Sequence, residues 1–118
     1  MKTLVLGASH KPDRYSNLAV NMLKEYGHEF VAVGRRAREV EDWQIVEGKP
    51  HLDDIDTVTL YLNPLNQREY YDYILSLKPR RVIFNPGTEN PELIQRLKEA
   101  NIEPVSACTL VMLRAGLY

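Results

Sequence analysis

The sequence predicts an α/β protein of Rossmann-like, three-layer form, with a five-stranded parallel sheet in the order 3-2-1-4-5. Three observations lead there. Apolar runs such as Leu4-Val5-Leu6 lack alternation, which suits strands buried on both faces of a parallel sheet. Segments with apolar residues at helical spacing separate these runs, and strands alternating with helices imply right-handed crossovers. The first run also stops at Gly7 and passes into the small, polar, basic loop Ala8-Ser9-His10-Lys11, the way a strand hands a ligand to a helix N-terminus. The ligand crevice is then expected at the carboxyl ends of strands one and four.

The chain has 118 residues, read as one domain over 1–118 and too short for a cofactor domain plus a separate substrate domain. Net charge is −1, and no run of basic residues extends beyond Arg35-Arg36, so neither nucleic acid nor a membrane surface is expected as partner. The single cysteine, Cys108, forbids an internal disulfide and suits a reducing cytosol. The apolar run before Gly7 is too short for a signal-peptide core or a membrane span, so a soluble, cytoplasmic protein is expected.

In chain order, the first strand covers Thr3 to Leu6 and a helix begins near Ser16. Leu18, Met22, Leu23 and Tyr26 mark the apolar face of that helix, and Gly27 ends it. Phe30 to Val33 forms the second strand, stopping at Gly34-Arg35-Arg36 and completing a βαβ unit of about 30 residues. From Ala37 to Ile55 the pattern loses regularity and reads as an irregular connection, with one helical turn at Leu52 to Ile55 and Trp43 as core or as a lid on a base. Thr57 to Leu62 is the third strand. Asn63-Pro64 then supplies a cap followed by proline at the first helical position, opening a helix with Leu65, Tyr71, Ile74, Leu75 and Leu77 on its apolar side. Arg81 to Phe84 is the fourth strand. Asn90-Pro91 repeats the capped start, and that helix closes near Asn101. Ile102 to Ala107 is the last strand, followed by a helical apolar tail from Cys108 to Leu117.

The candidate site is a phosphate cradle. Gly7, Ala8, Ser9, His10, Lys11, Pro12, Arg14 and Ser16 combine small residues, a hydroxyl, two cations and a helix start. The dinucleotide fingerprint is incomplete, because Ser9 and Pro12 stand where G-x-G-x-x-G has its second and third glycines. At the end of the second strand an NAD site would place an acid, whereas this chain has Gly34, Arg35 and Arg36. Arginine suits a phosphate on the adenosine ribose, a group carried by NADP and by coenzyme A. Asn63, Pro64 and Gly87 sit at the ends of the third and fourth strands, on the same edge. No metal-ligand spacing surrounds His28 or His51, and a nucleophile built from Cys108 and His10 lacks an orienting third group. Asp53, Asp54 and Asp56 read as a solvated turn.

The ten residues Gly7-Ala8-Ser9-His10-Lys11-Pro12-Asp13-Arg14-Tyr15-Ser16 resemble the G-x-S-x-K-P-x-R-x-S loop of the small stand-alone CoA-binding proteins at every fixed position. That domain is similar to the N-terminal CoA-binding domain of the succinyl-CoA synthetase α subunit. The likeness continues through Gly48-Lys49-Pro50-His51-Leu52, through Asn85-Pro86-Gly87-Thr88-Glu89-Asn90 and at Cys108, so it covers nearly the whole chain. The resemblance implies a CoA-binding, Rossmann-like and NAD(P)-binding-like fold without demonstrated catalysis in the stand-alone members. Ser9 to Lys11 and Arg14 would hold the pyrophosphate, the loop starting at Asn63 would border the adenosine, and Gly87 would face the pantetheine arm. The chain departs from the family at Gly34-Arg35-Arg36, where Asn-Pro is frequent.

Three readings follow. The first is a non-catalytic module for CoA or acyl-CoA, with a small-molecule ligand and with a protein partner or a homodimer as further possibilities. The second is an NADP-binding reductase component. The third is a nucleotide-free interaction domain whose apolar tail, Leu110 to Leu117, docks on a partner.

Overall fold

One mostly parallel sheet of seven strands, flanked by helices on both faces, runs through the computed structural model, which describes residues 2–118. Its centre is β1 (Lys2–Leu6), where Leu4, Val5 and Leu6 are fully buried. Parallel neighbours flank it on both sides: β2 (Glu29–Gly34), with Leu4 opposite Val31, and β5 (Ile55–Leu60), with Leu4 opposite Val58. Beyond β5 lie β6 (Arg81–Phe84) and then β7 (Glu103–Ser106), both parallel.

The strand count and the order differ from expectation, for one reason. Residues 37–55 do not form an irregular connection but contain a hairpin of β3 (Arg38–Val40) and β4 (Trp43–Glu47), turning through Glu41 at φ +51°. β4 alternates, with Trp43 and Ile45 buried and Gln44 exposed, and it pairs in parallel with β2. It therefore takes the place beside β2 that the sequence reading gave to residues 57–62, which lie on the other side of β1 as β5. The full order is β3-β4-β2-β1-β5-β6-β7, so the five-stranded 3-2-1-4-5 sheet is incorrect. Without the antiparallel β3, the six remaining strands run 3-2-1-4-5-6, the doubly wound arrangement. The strand adjoining β1 across the crevice is thus β5 and not the Arg81 to Phe84 strand.

Two cores follow from the alternation of side chains in the sheet. On one face Val5, Ala32 and Ile45 pack against Val20 and Leu23 of α1 (Tyr15–Glu25) and Leu113 of α5 (Thr109–Arg114). On the other, Leu4, Leu6, Val58 and Leu60 meet Tyr71 and Ile74 of α3 (Tyr71–Leu77) and Leu93 and Leu97 of α4 (Pro91–Glu99). Each fully buried leucine contributes roughly 1.5–3 kcal/mol.

Of the apolar face expected for α1, Leu23 turns inward, but the rest of the buried stripe differs. Ser16, Asn17, Ala19, Val20 and Leu23 are buried, whereas Leu18 and Tyr26 are 38% and 48% exposed. The small residues let the helix lie close to the sheet. Its end matches expectation: Gly27 has φ +78°, and His28 N–H donates to Leu23 O at 2.8 Å, a Schellman closure. The Asn63-Pro64 start also forms, with Asn63 accepting from Asn66 N–H at 2.9 Å. The expected continuous helix, however, is broken into α2 (Pro64–Gln67), a 3-10 turn at Arg68–Tyr70 and α3, leaving Leu65 exposed. No helical turn forms at 52–55, since Ile55 opens β5. In the tail, Leu110 and Leu113 are core while Val111 and Leu117 face outward. Among the described residues, no helix is long and apolar enough to cross a membrane.

Candidate functional site

The carboxyl edge of the sheet is built around two glycines whose hydrogens are sterically required. Gly7 has φ +96°, and a Cβ there would lie 2.9 Å from the Tyr61 carbonyl carbon. This turn carries the chain over the end of β2, where the N–H groups of Gly7 and Ala8 both donate to Val33 O at 2.9 Å. Ala8 then passes so close to Gly34 that a Cβ on Gly34 would sit 2.6 Å from the Ala8 carbonyl oxygen and 2.8 Å from Ile45 Cγ2.

The loop that follows is held by its own polar groups. Ser9 Oγ accepts from Lys11 N–H at 3.1 Å, and the Ser9 carbonyl accepts from Asn17 Nδ2 at 3.1 Å, which ties the loop to the first turn of α1. Arg14 occupies the N-cap position, and its side chain makes no capping bond. The Asn17 N–H donates to Arg14 O at 3.0 Å, so the Tyr15 and Ser16 amides are the ones that retain their donor capacity beside Lys11 and Arg14, a positive setting that favours an anion.

Above this loop lies an open cleft of about 470 Å3. Gly7, Ser9, Lys11, Arg14, Tyr15 and Ser16 form one wall, Tyr61 to Asn63 the floor, and Pro86 to Thr88 the far wall. A second cleft of about 240 Å3 adjoins it through Gly7 and Leu62 and is bordered by Gly34, Arg35, Gly48, Asn66 and Tyr70. Lys49 Nζ stands 5.6 Å from the centre of the Tyr70 ring. Two acids, Glu47 and Glu69, also border this second cleft, and Glu47 accepts from Ala37 N–H at 3.1 Å.

Of the residues singled out in the sequence, Gly7, Ser9, Lys11, Arg14, Ser16, Asn63 and Gly87 line the first cleft and Gly34 and Arg35 the second. Ala8 packs against the core, and His10, Pro12, Arg36 and Pro64 are surface residues lining neither cleft. Trp43 is core and lids neither cleft. Asp56 is not part of a solvated turn: it accepts from Arg80 Nε at 3.0 Å and from Arg80 Nη2 at 3.1 Å.

Sequence reasoning found Asn90 as a helix cap but missed Gln67 and the bonds by which Asn85 and Asn90 hold the cleft walls. Gln67, fully buried, donates from Nε2 to Leu62 O and to Thr88 O, both at 2.8 Å, and so joins floor to far wall. Asn90 Nδ2 donates to Gln67 Oε1 and to Tyr71 Oη at 2.8 Å each, and Asn90 Oδ1 caps α4 through Leu93 N–H. Asn85 performs the same service for α5: its Nδ2 donates to Thr59 Oγ1 and Leu60 O, and its Oδ1 accepts from Thr109 N–H at 2.9 Å. One sequence signal existed for Gln67, which lies four residues before Tyr71 on the stripe that continues to Ile74. A polar residue on a buried stripe must find partners.

Tyr61, on the cleft floor, has a buried hydroxyl that makes no hydrogen bond of good geometry, although the Thr59 and Thr109 hydroxyls, which bond each other at 2.8 Å, lie near it and partly offset its burial. Burial pushes its pKa up to about 12. Among the described residues no group of three His, Cys, Asp or Glu side chains is placed to hold a metal ion.

Comparison with curated protein sequences finds no match. Among solved structures, an uncharacterised protein is 57% identical with a TM-score of 0.96, over 99% of this chain and 97% of that one. A protein from Thermus thermophilus is 25% identical with a TM-score of 0.85, over 99% of this chain and 90% of that one. An acetyl-coenzyme A synthetase from Ca. Korarchaeum cryptofilum shares the fold alone, at 15% identity and a TM-score of 0.73, over 90% of this chain and 25% of that one. The sequence model of the CoA binding domain matches residues 1–114, nearly the whole chain with its glycine turn, basic loop and Asn85-Pro86-Gly87 wall, and the protein belongs to that family.

Proposed function

We propose that the chain is one domain that binds coenzyme A or an acyl-CoA along the carboxyl edge of its sheet and performs no chemistry on it. The observation that carries this reading is the pair of adjoining clefts, which place the Lys11, Arg14 and α1 amide cluster next to Arg35. The pyrophosphate takes the first position, where charge-assisted bonds from two cations add to the helix N-terminus. Arg35 takes the phosphate on the adenosine ribose, with the adenosine in the smaller cleft beside Gly34, Gly48 and Tyr70. The pantetheine arm then leaves past Pro86 to Thr88. A binding role is supported by the groups at hand: the phenol on the floor, Tyr61, is buried with its pKa pushed up to about 12, so it stays protonated near neutrality and offers no base to a ligand. Membership of the CoA binding domain family favours CoA over NADP.

The test is thermal unfolding of the purified protein alone and with CoA, dephospho-CoA, NADP or NAD. A ligand that binds only the folded state stabilises it by roughly 2.7 kcal/mol at a hundredfold excess over its Kd. CoA is expected to raise Tm most and dephospho-CoA less. A rise with NADP and none with CoA overturns the reading.

A further inference from the structure

A third cavity, of about 180 Å3, lies at the end of the row, lined by Tyr15, Tyr61, Asn85, Pro86, Cys108 and Leu110. It shares Tyr15, Tyr61 and Pro86 with the wide cleft, so it opens where the pantetheine arm would end. From this geometry we infer that the cavity is an acyl pocket and that the ligand is a short-chain, uncharged acyl-CoA in preference to free CoA. This rests on the CoA reading above.

The lining carries no carboxylate and no cation. Asn85 brings the one amide, and both of its amide hydrogens are engaged by Thr59 and Leu60 while its oxygen accepts from Thr109. The Tyr61 hydroxyl is buried away from the surface, so the ring and not the oxygen faces incoming groups. A dicarboxylic acyl group would bring its free carboxylate against a mostly apolar wall with no cation to pair with it, which is costly. Size limits the occupant as well. A water molecule occupies about 30 Å3 in the liquid, so the cavity takes about six non-hydrogen atoms. The thioester sulfur, carbonyl carbon and carbonyl oxygen account for three of these and leave room for about three more carbons, an acyl group of about four carbons in all. The lining runs from the 71% exposed Tyr15, shared with the wide cleft, to Leu110, which is 8% exposed.

Isothermal titration of the whole chain with CoA, acetyl-CoA, butyryl-CoA, succinyl-CoA and dodecanoyl-CoA tests the assignment. Each buried methylene should tighten binding about fourfold, so butyryl-CoA should bind about fifteenfold more tightly than acetyl-CoA. Succinyl-CoA and dodecanoyl-CoA should lose that gain. Cys108→Leu, which fills the cavity at a position whose side chain makes no capping bond, should abolish the butyryl preference and leave the affinity for CoA itself unchanged. Equal binding of CoA and butyryl-CoA, or retention of the preference in Cys108→Leu, overturns the acyl pocket while the CoA reading stands. Failure of every CoA species to bind overturns both.

Discussion

Gln67→Met tests whether the cleft walls are held together by one buried amide. Methionine is close to glutamine in length and volume, so the change removes hydrogen bonds while leaving little empty space. Three bonds of 2.8 Å disappear: those to Leu62 O and Thr88 O, and the one accepted from Asn90. At about 1 kcal/mol net for each, the loss is about 3 kcal/mol, a large part of the stability of a domain this size. The assay is urea unfolding followed by circular dichroism, with Gln95→Met as control. Gln95 is exposed and bonds Glu99 at 3.2 Å, so its replacement should stay within about 0.5 kcal/mol. Gln67→Met should lower the midpoint with an unchanged m-value and reduce Tm by about 12 °C, taking about 4 °C per kcal/mol. Because Leu62 and Thr88 both line the phosphate cleft, ligand affinity should fall too. A loss no greater than that of Gln95→Met would refute the reasoning.

The remaining predictions concern the glycine crossing and the titrating groups. Gly34→Ala should destabilise by about 1–3 kcal/mol, since its methyl would meet the Ala8 carbonyl at 2.6 Å and the strand end cannot retreat; a chemical denaturation curve that superposes on wild type would show that the crossing yields. The Arg80 guanidinium holds the Asp56 carboxyl below its ordinary value, so this pair contributes stability above pH 3.8 that is lost as pH falls further through the lowered folded-state value. Asp56→Asn should accordingly flatten the acid limb of the Tm-against-pH profile, and an unaltered limb would count against the pair. Tyr61 behaves with the opposite sign: its raised pKa means a contribution fully present below pH 10 and lost as pH rises toward 12. Tyr61→Phe, which removes an unpartnered buried hydroxyl, should be neutral or stabilising at pH 7 and weaken the alkaline transition; a loss above 1 kcal/mol at pH 7 would reveal a partner.

How much of this could be read from residues alone depended on how local each determinant was. The central strand, the βαβ unit and both Asn-Pro helix starts follow from nearest-neighbour chemistry, and each forms where the pattern placed it. The β3–β4 hairpin does not announce itself. Its turn is Glu41-Asp42 with no glycine, and β4 is an edge-side strand of five residues whose alternation becomes evident only once β2 lies beside it. Missing it displaced residues 57–62 across β1 and changed the order of the sheet. The buried stripe of α1 is hard to see in a hydrophobic pattern, which favours leucine and tyrosine, because packing on the sheet here takes alanine, serine and asparagine instead. At the site, the basic loop was legible as a run of neighbouring residues. Gln67 and the bonds by which Asn85 and Asn90 join the cleft walls were not, since those bonds run to partners about twenty or more residues away.

Titration calorimetry of CoA and dephospho-CoA against wild type and Arg35→Ala addresses the central claim most directly. Arg35 borders the cleft assigned to the adenosine and lies beyond the pyrophosphate cradle. Wild type should bind CoA more tightly than dephospho-CoA by roughly tenfold or more, since a hydrogen bond to a charged group contributes about 1.5–3 kcal/mol. In Arg35→Ala the two ligands should bind alike, both still held by Lys11 and Arg14. Absence of CoA binding by wild type, or a preference for CoA over dephospho-CoA that survives intact in Arg35→Ala, would contradict the account.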